Sequence, residues 1–369
     1  MSNKEMRSKI IFLEGLPSTG KSTNSRILLS QFESNGYHAR WVHEMARPHP
    51  TLFFYESCLT DKEYRLLVQR YPNSSKVLNQ VKRTRNKYIA FDLLEIEWNK
   101  LLDEEVLHAL KQFDVWNFPL EKYIDVALDK WEHFAQQIRK QDQIILLDSS
   151  IFQFQIYTFL LENASFSLLE TFLSKIYGLL REFNPVLIYF YRDNVNDTIA
   201  YMEKDRGIQF FINIWERDQH LPYYQNRPKG ANGYMEFLRD YQKTAEKLFE
   251  IFPYKKLPIE ISGGNWSKYI EMMLSELEII PTEISVSSLP VGKYVNEELG
   301  FEIRLEGSFM IDPSGTRKRL YKKTENEYYI ENLPVILYLE TPDKLVIKGE
   351  QLCDRWTTLG LVYRRIEIG

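Results

Sequence analysis

Gly15-Leu16-Pro17-Ser18-Thr19-Gly20-Lys21-Ser22-Thr23, written GLPSTGKST, decides how the rest of the chain is read. Four apolar residues, Ile10 to Leu13, precede it. Ile27, Leu28, Gln31 and Phe32 follow at helical spacing until Asn35-Gly36 stops the period. One stretch therefore spells strand, glycine loop, helix and stop. The loop fits GxxxxGK(S/T) through Gly15, Gly20, Lys21 and Ser22. Glycines let backbone N–H groups turn inward around a phosphate chain, and the helix adds the positive end of its dipole. Lys21 would reach the outer phosphates and the Ser22 hydroxyl would ligate magnesium, with Leu16, Pro17, Ser18, Thr19 and Thr23 completing the cradle. ATP with Mg2+ is the expected cofactor pair.

Working outward, a second strand is expected at 37–44 (YHARWVHE), and short apolar runs recur at 143–148 (QIILLD), 185–191 (PVLIYFY) and 256–261 (KLPIEI). Helical stretches separate them, which implies an α/β fold with a parallel sheet covered on both faces. Residues 45–142 are too many for a loop and must fold. Phe91, Leu94, Trp98, Leu101 and Leu102 keep a 3.6 period, as do Leu120, Tyr123, Ala127, Trp131, Phe134 and Ile138, so a helical cap over the sheet's carboxyl edge is expected. After Glu278, IIPTEISVSSLPVG (279–292) reads as a linker. Beyond it FEIRL, SFMI, YYIE, VILYLE, KLVIKG and LVYRRIEI are strand-like runs broken by turn residues, which suggest a small antiparallel sandwich or barrel. The expected units are 1–280, with 45–142 as the cap insertion, and a β-rich 286–369.

Composition narrows the partners. Among 369 residues, 47 Lys and Arg stand against 51 Asp and Glu, so no overall field draws the chain to nucleic acid or anionic lipid. A small-molecule acceptor is expected, no nucleic-acid or membrane partner is, and a homodimer is left open. KRTRNK (82–87) and RKRLYKK (317–323) read as solvated faces, and His43 and His49 as loop or pocket residues rather than a metal site. Cys58 and Cys353 have neither metal nor disulfide spacing, which fits a reducing cytoplasm. The opening MSNKEMRSKIIFLEG lacks a signal-peptide core, and no run approaches the length of a membrane helix.

FLEGLPSTGKST resembles the opening of deoxynucleoside kinases and thymidylate kinases. LIYFYRDNVNDTIAYMEKDRG (187–207) looks like their fourth strand and the helix that runs into an arginine-bearing lid. KLPIEISGGNWSKYIEMMLSEL (256–277) is similar to their last strand, adenine-side loop and closing helix. The likeness covers most of 8–278 and leaves the C-terminal part outside. It implies a P-loop fold of strand order 2-3-1-4-5 and transfer of the ATP γ-phosphoryl group to a small-molecule hydroxyl or phosphate, with a nucleoside or nucleotide as first choice and an antibiotic or other metabolite as second. Two departures stand out. Asp148-Ser149-Ser150 occupies the place of a Glu-Arg-Ser motif, and Glu44-Met45 that of an Asp-Arg pair, so nucleoside specificity is not carried over.

Asp148 closes the run IILLD as a Walker B carboxylate does, and is the expected magnesium partner of Ser22. Glu44 corresponds by position to the glutamate that takes the acceptor's proton, and Arg206, in EKDRG, to a lid arginine over the transferring phosphate. Arg192, at a strand end, is a further cation candidate, with Arg217 and Arg227 behind it. A second reading is a nucleotide-gated P-loop NTPase whose β-rich tail engages a protein partner.

Overall fold

The computed structural model describes residues 8–284 and 289–366. Strand β1 (Ile10–Gly15) leads into the loop, helix α1 (Lys21–Ser34) and strand β2 (Ala39–Val42). The insertion follows: β3 (Glu56–Thr60), α2 (Asp61–Arg70), α3 (Ser75–Val81), β4 (Arg83–Thr84), β5 (Tyr88–Asp92), α4 (Leu93–Trp98), α5 (Glu104–Lys111) and α6 (Leu120–Arg139). The chain returns through β6 (Ile144–Asp148), α7 (Gln153–Leu161), α8 (Phe166–Leu180), β7 (Val186–Tyr191), α9 (Val195–Arg206), α10 (Ile208–Asp218), α11 (Gly230–Ile251), β8 (Lys255–Glu260) and α12 (Trp266–Glu276).

Five of these strands form one parallel sheet ordered β2-β6-β1-β7-β8, the expected 2-3-1-4-5 order. All six residues of β1 are buried because both of its faces are covered. Ile10 and Phe12 pack with Trp131 and Phe134 of α6 and Leu173 and Ile176 of α8. Ile11 and Leu13 pack with Leu28 and Phe32 of α1 and Met273 and Leu274 of α12. The carboxyl ends of β1, β2 and β6 lie side by side, Leu13 opposite Asp148 and Val42 opposite Leu147, so Gly15, Glu44 and Asp148 leave the sheet along one edge.

The insertion corrects the purely helical expectation. It holds a three-stranded antiparallel sheet, β3-β5-β4, and Phe91, expected on a helix, lies in β5, with α4 beginning at Leu93. Phe91 is buried against Leu59, Tyr64 and Ile96, a demand that a strand and the following short helix meet together. The basic run 82–87 is corrected as well. Arg85 is buried and pairs with Glu56, which also accepts from Lys130 at 2.8 Å, and Arg83 pairs with Asp92 at 3.5 Å and Glu95 at 2.8 Å. The two cations outweigh burial and hold the Glu56 carboxyl down to about 2, while burial lowers Lys130 to about 8. Removing either kind of partner from such a cluster would strand buried charge.

The C-terminal part is a closed eight-stranded antiparallel barrel: β9 (Gly292–Asn296), β10 (Phe301–Glu306), β11 (Phe309–Ile311), β12 (Arg317–Lys322), β13 (Glu327–Ile330), β14 (Leu333–Thr341), β15 (Lys344–Gly349) and β16 (Val362–Ile366), with β16 pairing back to β9. Closure removes both edges, so of the small sandwich or barrel expected the chain forms the barrel. Within the second basic run, Leu320 is buried while Arg317 and Arg319 are exposed on the opposite face of β12, and Lys322 is exposed where the strand ends. The expected linker lies partly outside the described residues. Its first part is tied to α1 by Thr282 N–H donating to Gln31 at 2.8 Å.

Candidate active site

The glycine loop is shaped by its neighbours. A Cβ on Gly15 would sit on the Phe190 carbonyl oxygen of β7, and one on Gly20, at φ +86°, would lie 2.7 Å from the Trp266 ring. No side chain fits at either place without displacing what closes the loop. Thr19 is buried and turns inward, its hydroxyl donating to Leu16 O at 2.7 Å. Gly15 and Thr19 are therefore framework, whereas Leu16, Pro17, Ser18, Gly20, Lys21, Ser22 and Thr23 face a cavity of about 900 Å³. Lys21 lies along the loop, its Nζ donating to Gly15 O and Leu16 O at 2.9 Å each.

Glu44 faces the same cavity, its Oε2 accepting from Gln153 Nε2 at 2.7 Å. Asp148 stands behind the wall and is fully buried; Oδ1 accepts from the Ser149 hydroxyl at 2.9 Å, and Oδ2 has no protein partner. Burial raises its carboxyl above the usual range, His43 and Lys21 pull it back, Glu44 pushes it up further, and the nearby Ser22 hydroxyl lowers it. An unpartnered buried carboxylate oxygen beside a serine hydroxyl at the phosphate end fits a magnesium ion that keeps most of its shell as water and phosphate. Among the described residues, no group of three or more His, Cys, Asp or Glu is placed to hold a metal. His43 and His49 accept backbone N–H groups at Nδ1 from Met45 (3.1 Å) and Leu52 (2.9 Å), as loop residues do.

Helices α9 and α10 cover the loop, with the Ser18 hydroxyl donating to Asp205 at 3.3 Å. Arg206 and Arg192 line the cavity from this side, each beside a ring: Arg206 is 4.8 Å from the Phe210 centroid and Arg192 is 5.1 Å from that of Tyr201. Arg217 also faces the cavity but is forked onto Asp218 at 2.7 Å through Nε and Nη2. Arg227 is not brought to the site and pairs with Glu236 and Asp240 at 3.2 and 3.1 Å.

Several lining residues were not singled out from the sequence. Phe54, Trp116 and Phe154 form one aromatic wall, with Phe54 and Phe154 edge to face at 4.7 Å, and Tyr157 and Phe237 form another at 4.7 Å. They come from the insertion, α7 and α11, and no local spacing links them. Trp266 had a local signal, since it follows Gly263-Gly264 at the mouth of the expected adenine-side loop.

Glu14, the residue before the loop, is fully buried and caps the start of α7, accepting from Ile151 N–H at 2.6 Å and Gln153 N–H at 3.2 Å. Burial outweighs these bonds and the Lys21 charge, and pushes the carboxyl from 4.5 up to about 7. Between those values the folded chain keeps a proton that the unfolded chain has released, so stability falls as pH rises from about 4.5 to about 7. Thermal melts at pH 5 and pH 7.5 should show a smaller drop in midpoint for Glu14→Gln than for wild type, and equal drops would refute the assignment.

The strand order and the glycine loop between β1 and α1 define a P-loop α/β fold, to which the closed barrel is added. No protein-family model and no curated protein matches the chain. Among solved structures it is similar to a thymidylate kinase from Candida albicans, at 12% identity over 76% of this chain and 98% of that chain, with a TM-score of 0.35. No helix among the described residues is long and apolar enough to cross a membrane.

Proposed function

We propose that the chain is an ATP-dependent phosphotransferase that moves the γ-phosphoryl group to a hydroxyl of a small molecule, with residues 1–280 carrying the chemistry. One observation carries this reading: the phosphate loop, Glu44, Arg192 and Arg206 open onto a single cavity whose far walls are aromatic. Glu44 takes the proton as the acceptor oxygen forms its bond to the γ-phosphorus, the bond from that phosphorus to the bridging oxygen breaks, and ADP leaves with the electron pair. Lys21 and Arg206 face the oxygens on which charge gathers. Ser22 and Asp148 would hold Mg2+, which supplies neutralisation of the phosphate oxygens when bound. The aromatic walls suit a flat acceptor, which makes nucleosides and nucleotides the first class to try and aromatic antibiotics or other metabolites the second.

Incubation with ATP, Mg2+ and such a panel should release ADP well above background with one acceptor class. ATP consumption unchanged by every compound would refute the proposal.

A further inference from the structure

The cavity has a lip that no phosphotransfer motif supplies. Glu331 and Asn332, in the turn joining β13 to β14, line it together with Ile27, Trp266 and Ile270. Ile27 stands six residues beyond Lys21 on α1, roughly 9 Å along the helix axis, so the lip runs from Trp266, beside Gly20, away from the phosphate end.

The turn is held in place. Glu331 N–H donates to Arg319 O at 2.9 Å, and its Oε2 accepts from Arg319 N–H at 3.0 Å. Asn332 Oδ1 accepts from Lys318 Nζ at 3.3 Å. Strand β13 and the end of its neighbour β12 grip α1: the buried Arg26 guanidinium lies 3.8 Å from the centroid of the Tyr321 ring, and Glu33 accepts from Tyr329 and, at 3.1 Å, from Lys323. A turn braced in this way has the rigidity that a recognition element needs. Among the described residues, no hydrogen bond reaches Glu331 Oε1 or the Asn332 amide NH2, and the Glu331 carboxylate acts on the buried Arg26 guanidinium through charge alone.

We propose that the Glu331-Asn332 turn reads the nucleoside end of the phosphoryl donor. This rests on the phosphotransferase reading. A carboxylate beside the triphosphate would repel it. Near the nucleoside it is an acceptor matched to a hydrogen-bond donor, which the ligand offers as ribose hydroxyls or as the base's exocyclic amine. The barrel is then part of the donor site, and discrimination follows from the missing partner: a nucleotide without the donor leaves the glutamate unsatisfied.

The test is calorimetric binding of ATP, dATP and inosine triphosphate to full-length wild type, Glu331→Ala and Asn332→Ala. Wild type is expected to prefer ATP over at least one analogue by about tenfold or more. A preference over dATP identifies the ribose, and one over inosine triphosphate identifies the amine. Glu331→Ala should bring that ratio close to one, with only the small fall in thermal midpoint that loss of its bond to Arg319 N–H brings, and Asn332→Ala should reduce it. Wild-type binding with ratios unmoved in both variants overturns this inference and leaves the phosphotransferase reading standing, whereas no ATP binding by wild type overturns both.

Discussion

Lys21→Ala is expected to lower turnover by about 10²–10³-fold in a protein that still folds, as loss of one donor aimed at developing charge does elsewhere. The side chain is buried and already directed along the loop, with both of its contacts to loop carbonyls. Turning Nζ from those carbonyls toward a phosphate exchanges two neutral acceptors for an anionic one, which adds ion–ion attraction to bonds the ammonium already charges. Truncation removes that exchange and takes the Lys21 donor from Gly15 O and from Leu16 O, which keeps the Thr19 hydroxyl, a cost of about 1 kcal/mol per bond to loop stability. Turnover and thermal midpoint measured together separate the two effects. A large fall in activity with a small fall in midpoint is the predicted pattern, and undiminished activity would remove the loop from the chemistry.

Glu44→Gln should lower kcat by about 10²–10⁴-fold, the range for a positioned general base, with ATP affinity nearly unchanged. The substitution suits the site because the amide keeps an oxygen to accept from Gln153 Nε2, the contact that orients Glu44. Geometry is retained while the ability to take a proton is lost. Steady-state kinetics against the acceptor identified by the panel would show the split between kcat and ATP KM. A change confined to KM would recast Glu44 as a binding residue.

The parallel sheet and its loop were legible because their signals are local. Four buried residues before a glycine loop and a 3.6 period after it specify β1 and α1 within about twenty-five positions. Asp148 was readable for the same reason, at the end of an apolar run that could only be an interior strand. The insertion was harder. Phe91 and Trp98 satisfy a helical period by coincidence, since one is on β5 and the other ends α4, and the packing that separates them involves Leu59 and Tyr64 about thirty residues earlier. Arg85 looked solvated because Glu56, the carboxylate it shares with Lys130, is distant in sequence. The aromatic walls and Glu331 belong to the site only through tertiary folding, so no spacing rule announces them.

The segment bearing Glu44 is also stitched by main-chain bonds to the chain's last third. Cys353 N–H donates to Met45 O at 3.0 Å, Arg47 N–H donates to Gln351 O at 2.8 Å, and Ala46 and Leu352 form an antiparallel bridge. Arg47 continues the tether, with its guanidinium on both Asp92 oxygens at 2.8 Å. Trimming the protein to its phosphate-loop half would therefore unfasten the segment that carries Glu44 as well as shorten the chain. On the proposed reading, donor and acceptor handling share a single scaffold, and evolution or engineering that alters the C-terminal module must contend with both at once.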